Sequence, residues 1–192
     1  MHNIRSLTYA VCCLCLVAFA PSCSLKQWKA DRAGQEHKII DDTARQAQAH
    51  IALGNYKKAI ELYSSACEKY HSPGMRSSFA RTAEQIRNTA DEAYQNKDFE
   101  EAGSIYHALF ESGVATRNLG QSLSFDNDYL NRQLGLCSKG LMESGLMKYR
   151  EEKLEEAIAI WKKALVLDPE NKGIKKAVET ATMQLQKLKT LK

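Results

Sequence analysis

The sequence predicts an all-α protein of paired helices, and three observations carry that expectation. The chain of 192 residues holds only three Pro and ten Gly, too few for a loop-rich β protein. Three segments repeat one pattern: a large apolar residue, Ala three positions later, and an aromatic four positions after that. They are Tyr56-Ala59-Tyr63, Phe99-Ala102-Tyr106 and Leu154-Ala157-Trp161, and steps of three and four keep each set on one helical face. The chain then closes on Ile174, Val178, Ala181, Leu185 and Leu188, a further series at helical spacing. Hydrophobic residues at 44% and charged residues at 26% exclude disorder throughout. The one long apolar stretch lies at the N-terminus, which excludes a polytopic membrane protein. A net charge of +4 is too mild to imply nucleic acid.

Residues 1–22 read as a signal peptide. Arg5 precedes an uncharged run over residues 7–20. As a helix that run is about 21 Å long, short of the roughly 20 residues that cross the hydrocarbon core and suited to a secretory segment. Ala20 and Ser22 are small residues at positions −3 and −1 before Cys23. Ala20-Pro21-Ser22-Cys23 resembles the lipobox of bacterial lipoproteins, although the common form has Leu at −3 and Gly or Ala at −1. The resemblance implies lipidation of Cys23: a diacylglycerol on the sulfur and an acylated amine. At about 0.8 kcal/mol per buried methylene, such chains anchor durably. By the same resemblance Ser24, which is not Asp, implies the outer membrane, with the domain in the periplasm. An ordinary cleaved signal peptide and a retained N-terminal anchor are the alternatives. Residues 23–35 follow as a polar tether, in which Trp28 sits either at a membrane interface or on the first helix.

Residues 36–171 form the repeats. Gly54-Asn55 supplies a helix-ending glycine and then a capping residue. Asp98 with Glu101 reads as a capping box, and Asp168-Pro169 ends the last unit. The Ala of each triplet belongs where two helices approach closely. These segments resemble the tetratricopeptide repeat, a helix–turn–helix unit of 34 residues. The repeats fall at about 40–73, 83–116 and 138–171. The motif positions are Tyr56, Ala59, Tyr63 and Ala66; Phe99, Ala102, Tyr106 and Leu109; and Leu154, Ala157, Trp161, Ala164 and Pro169. Gly145 stands at the family's glycine in the third first-helix, with Ala47 and Ala90 as its counterparts. The resemblance implies an α-solenoid of about three helix pairs; a plain bundle with aromatic core stripes is the alternative. The units are not in strict tandem. Residues 74–82 are expected to lengthen the helix that follows. Residues 117–137 are expected to open as a loop and turn helical from about Asp126. Residues 172–192 form a capping helix over the open end of the array. Six lysines against Glu179 also give this helix a basic stripe that an anionic lipid or an acidic partner would meet.

No catalytic or nucleotide-binding motif stands in the chain, so a non-enzymatic role without a cofactor is expected. Cys67 and His71 share a helix face, but two ligands do not make a zinc site. Cys67 and Cys137 lie about two repeats apart and read as buried thiols rather than a disulfide. In tetratricopeptide arrays the first helices line a groove. Carried over by position, that groove holds Arg87, Asp91, Tyr94, Lys139, Met142, Tyr149 and Arg150, and Tyr and Arg are the residue types that anchor interfaces. Asn88 and Lys139 fall on two positions of the family's carboxylate clamp, but Glu143 would repel a carboxylate, so no clamp is expected. The expected function is therefore a lipid-anchored adaptor in the bacterial cell envelope, binding a protein or peptide partner for assembly or secretion. The alternative is a periplasmic carrier holding a lipid, glycan or peptide in a cleft between helices.

Overall fold

A computed structural model describes residues 22–119 and 123–190, without the side chains of 22–31. The signal-peptide expectation for residues 1–21 lies outside the described residues, as do the side chains of Cys23 and Trp28. The described residues are predominantly α-helical and contain no strand. The α-helices are α1 (Ser22–Ala52), α2 (Tyr56–Tyr70), α3 (Pro73–Gln95), α4 (Phe99–Glu111), α5 (Asn127–Arg150), α6 (Leu154–Leu167) and α7 (Lys172–Thr190), with a 3-10 turn at Val114–Thr116. No helix among the described residues is long and apolar enough to cross a membrane.

Two compact units divide at Asp42 and Thr43. Of the first, the opening part of α1 is described. Residues 23–35, expected as a polar tether, are helical here. Lys, Gln, Ala and Arg make up more than half of this stretch and are strong helix formers, so propensity alone continues the helix.

In the second unit each helix from α2 to α7 packs on the next, and α4 also touches α2 and α6. The three turns α1–α2, α3–α4 and α5–α6 are built alike. Gly54, Lys97 and Glu152 occupy the same place and are left-handed, at φ +70°, +62° and +63°. Each turn closes with a bond spanning five residues: Asn55 N to His50 O at 2.8 Å, Asp98 N to Ala93 O at 2.9 Å, and Lys153 N to Lys148 O at 3.0 Å. A bond spanning three residues lies inside each, at Gly54–Ile51, Lys97–Tyr94 and Glu152–Tyr149. This is the Schellman pattern, which satisfies the carbonyls a helix end leaves open.

Burial keeps the same phase. Ala59, Ala102 and Ala157 are each 0% exposed, and Tyr63, Tyr106 and Trp161 are buried beside them. Small residues set the helix spacing. A Cβ on Gly140 would run into the Phe99 ring, and one on Gly145 into the Trp161 indole. That indole donates from Nε1 to the Met142 carbonyl at 3.0 Å. Caps fix the long helices: Ser72 accepts from Met75 N at 3.2 Å, and Asp126 from Tyr129 N at 2.7 Å. Before α5, Val114, Leu119 and Phe125 are buried, so the connection is pinned to the core at three points.

Candidate interaction surface

The candidate residues on α3 are engaged inside the molecule. Arg87 donates from Nη1 to Asp91 at 2.5 Å and from Nη2 to Glu84 at 3.1 Å. The other Asp91 oxygen accepts from Tyr106 on α4 at 2.5 Å and from Tyr129 on α5 at 2.6 Å. Glu84 in turn holds the connection to α5, accepting from Ser124 N at 2.5 Å and Ser124 Oγ at 2.6 Å. Six side chains from three helices and a loop thus form one polar network.

The charges follow from that geometry. Burial works to raise the Asp91 carboxyl, but hydrogen bonds from Tyr106, Tyr129 and Arg87 outweigh it and hold the group below its ordinary range. Glu84 is held down in the same way, burial being outweighed by Ser124 and then Arg87. The phenols respond oppositely: burial and then Asp91 raise Tyr106 and Tyr129. Of the predicted groove residues on this helix, Arg87 and Asp91 therefore have their hydrogen-bonding capacity turned inward. Sequence reading missed Tyr106 and Tyr129 as their partners.

The remaining candidates divide between core and surface. Tyr94 is half-buried and meets Phe99 edge-on, with centroids 5.6 Å apart. Met142 packs on the cluster around Trp161. Tyr149 lies against the Trp161 ring at 5.8 Å and donates from its hydroxyl to Gln184 of α7 at 2.7 Å. Lys139 and Arg150 are exposed, and neither forms an ion pair with a described residue. The structure thus joins Tyr149 to α7 and packs Met142 on the core, leaves Lys139 and Arg150 exposed on α5, and holds Arg87 and Asp91 elsewhere, on α3.

Cys67 and Cys137 are both free thiols. Cys137 is fully buried, and burial pushes its thiol up to about 12. Among the described residues no group of three His, Cys, Asp or Glu side chains is placed to hold a metal. Two open depressions flank α4. One, of about 230 Å³, lies between α4 and α6 beside Leu141, Val166 and Leu167, with the Lys163–Glu100 ion pair at its rim. The other, of about 370 Å³, lies against Tyr56, Lys57 and Glu61 of α2 and shares Ser104 with the first. The sequence matches no family profile and no curated protein.

Proposed function

We propose that this chain is a lipid-anchored, non-catalytic adaptor of the bacterial cell envelope, built of three tetratricopeptide-like helix pairs with α7 as a cap. It holds a segment of a protein partner on the exposed faces of its first helices. The observation that carries the reading is the threefold repetition of one turn, left-handed at Gly54, Lys97 and Glu152, with an Ala at zero exposure five residues beyond each. Helix pairs joined identically stack on their neighbours, and a stack of this kind presents an extended binding face. The carrier reading needs a deep apolar cleft. The depressions beside α4 are open, and binding sites for small molecules enclose most of the ligand surface, so the adaptor reading is preferred. Anchoring is assigned to acyl chains on Cys23.

Two measurements test this. Detergent partitioning of the wild-type chain against Cys23→Ser should show the variant moving to the aqueous phase; identical behaviour removes the anchor. In-cell crosslinking with affinity purification should recover an envelope protein with the wild type and lose it with Lys139→Glu/Arg150→Glu. Arg87 is unsuitable for this purpose, because reversing its charge would break the network that holds α5. Equal recovery from both forms would remove the groove assignment.

A further inference from the structure

Net charge is spread unevenly over the helices of the second unit. α4 carries Glu100, Glu101 and Glu111 and no lysine or arginine. α7 carries five lysines against Glu179. No other whole helix of this unit exceeds a net charge of two of either sign. Both helices turn these charges outward. On α4, Ile105, Tyr106 and Leu109 are buried, while Glu100, Ser104 and Glu111 are exposed. On α7, Ile174 and Ala181 are buried, while Lys176, Met183 and Lys187 are exposed on the opposite face, Met183 at 51%. Lys175 pairs with Glu170 and Lys189 with Glu155, whereas Lys176 and Lys187 form no ion pair with a described residue.

The two outward faces match in register. Glu100 and Glu111 are eleven residues apart, as are Lys176 and Lys187. On a helix that step is three turns, about 16 Å, and returns to the same face. Ser104 stands four residues from Glu100 and seven from Glu111, and Met183 stands four from Lys187 and seven from Lys176. Laid antiparallel, Lys187 meets Glu100, Met183 meets Ser104 and Lys176 meets Glu111. Ser104 is also where the surface is low, because the two depressions beside α4 share it. Val166, 57% exposed, and Leu167 line the one toward α6, which makes an apolar seat for a flexible methionine. In the same register Glu179, the one acid of α7, falls on Ala108, in the depression that Lys57 and Lys58 line together with Glu61. Glu100 also pairs with Lys163, so the contact at Glu111, whose ion partner is His107 at 4.0 Å, is the stronger of the two.

We propose that the chain pairs with a second copy of itself, the outward face of α7 in one copy lying antiparallel on the outer face of α4 in the other. Within one chain the opposite face of α7 is packed on α6, so its outward face meets an α4 only in another molecule. Opposite charges fix the partner and the register, and Met183 and Val166 leave water together. Each copy offers both faces, so two reciprocal contacts close a dimer. Neither helix is one of the first helices that hold the partner protein in the adaptor reading, so the pairing is independent of that reading.

The test is sedimentation of the full-length chain in neutral detergent, with micelles in excess over chains. The wild type should form dimers that dissociate as salt is raised. Glu100→Lys/Glu111→Lys and Lys176→Glu/Lys187→Glu should each weaken dimerisation about tenfold or more, and all four changes in one chain should restore it. Lys139→Glu/Arg150→Glu on α5 should leave it unchanged, with the circular dichroism of every variant unaltered. Register is read by oxidative crosslinking on a Cys67→Ser background. A Ser104→Cys chain mixed with a Met183→Cys chain should form the mixed disulfide, and one mixed with a Lys172→Cys chain should not. A monomer at every concentration overturns the pairing. So does a dimer that the fourfold variant fails to restore, or one that the α5 variant weakens equally, since diffuse charge then decides. Equal crosslinking at Lys172→Cys and Met183→Cys overturns the register and with it the assigned interface.

Discussion

Asp91 accepts three hydrogen bonds, and two of the donors come from other helices. Asp91→Ala leaves the buried Tyr106 hydroxyl without its acceptor, and an unsatisfied buried polar group costs about 1–3 kcal/mol. Urea unfolding should register that loss, while Asn88→Ala, exposed one turn away, should change little. The acid response follows from the depressed carboxyls. Asp91 and Glu84 bind protons less readily folded than unfolded, so their stabilisation is complete above the ordinary carboxyl range of about 4. It is lost as the pH falls through the lower folded values. The wild type should therefore lose stability on acidification below about pH 4 more steeply than Asp91→Asn, as followed by thermal melts. Cys137 gives a separate probe. Its buried thiol should resist labelling until the chain opens, while half-exposed Cys67 reacts first. Arg87 and Asp91 were placed in the groove from sequence, and their engagement with Tyr106, Tyr129 and Ser124 was not legible from spacing. Tyr129 and Ser124 lie far along the chain from α3, and helical periodicity reports only which face of a helix is apolar.

The turns are where the elements are decided. A left-handed residue costs about 1–2 kcal/mol when it carries a side chain, and Lys97 and Glu152 bear that cost where Gly54 does not. Lys97→Gly and Glu152→Gly should each stabilise the chain by about 0.5–1 kcal/mol, and Gly54→Ala should destabilise it by a similar amount. Differential scanning calorimetry separates these outcomes. The helix contacts are less forgiving. Gly145→Ala forces the Trp161 indole from a position held by its hydrogen bond to Met142, and overpacking of that kind costs about 1–3 kcal/mol. Here the sequence was informative. The Ala–aromatic triplets placed the buried faces of α2, α4 and α6, and Asp98 caps α4 with its side chain on Glu101 N. Asp126 likewise begins α5 where the loop composition ends. The opening of α1 was not legible, because residues 23–35 show no apolar repeat, and helix propensity without periodicity looks the same as a polar linker.

At the scale of the whole molecule, α7 covers the last pair. Ile174 and Ala181 are buried against Trp161 and Ala164, with Val178 and Leu185 beside them. Deleting 172–192 should expose this surface, broaden the unfolding transition and promote association, as read by light scattering; a sharp transition and a monomer would show that α6 needs no cap. The charge of the molecule is also unevenly placed, with five lysines against Glu179 on α7 and the Glu84 and Asp91 carboxylates of α3 bound internally. The segment from Val114 to Asp126 has a different consequence. Linear stacks of helix pairs exchange heat and strain only with their neighbours, and their ends fray one pair at a time. Here Glu84 grips Ser124 and Asp91 grips Tyr129, which lashes the second pair to the third through side chains as well as through apolar contact. Amide protons of α3 and of the α5 N-terminus should then exchange with deuterium in a single kinetic step. The array would behave there as a clasped hinge rather than as beads on a thread.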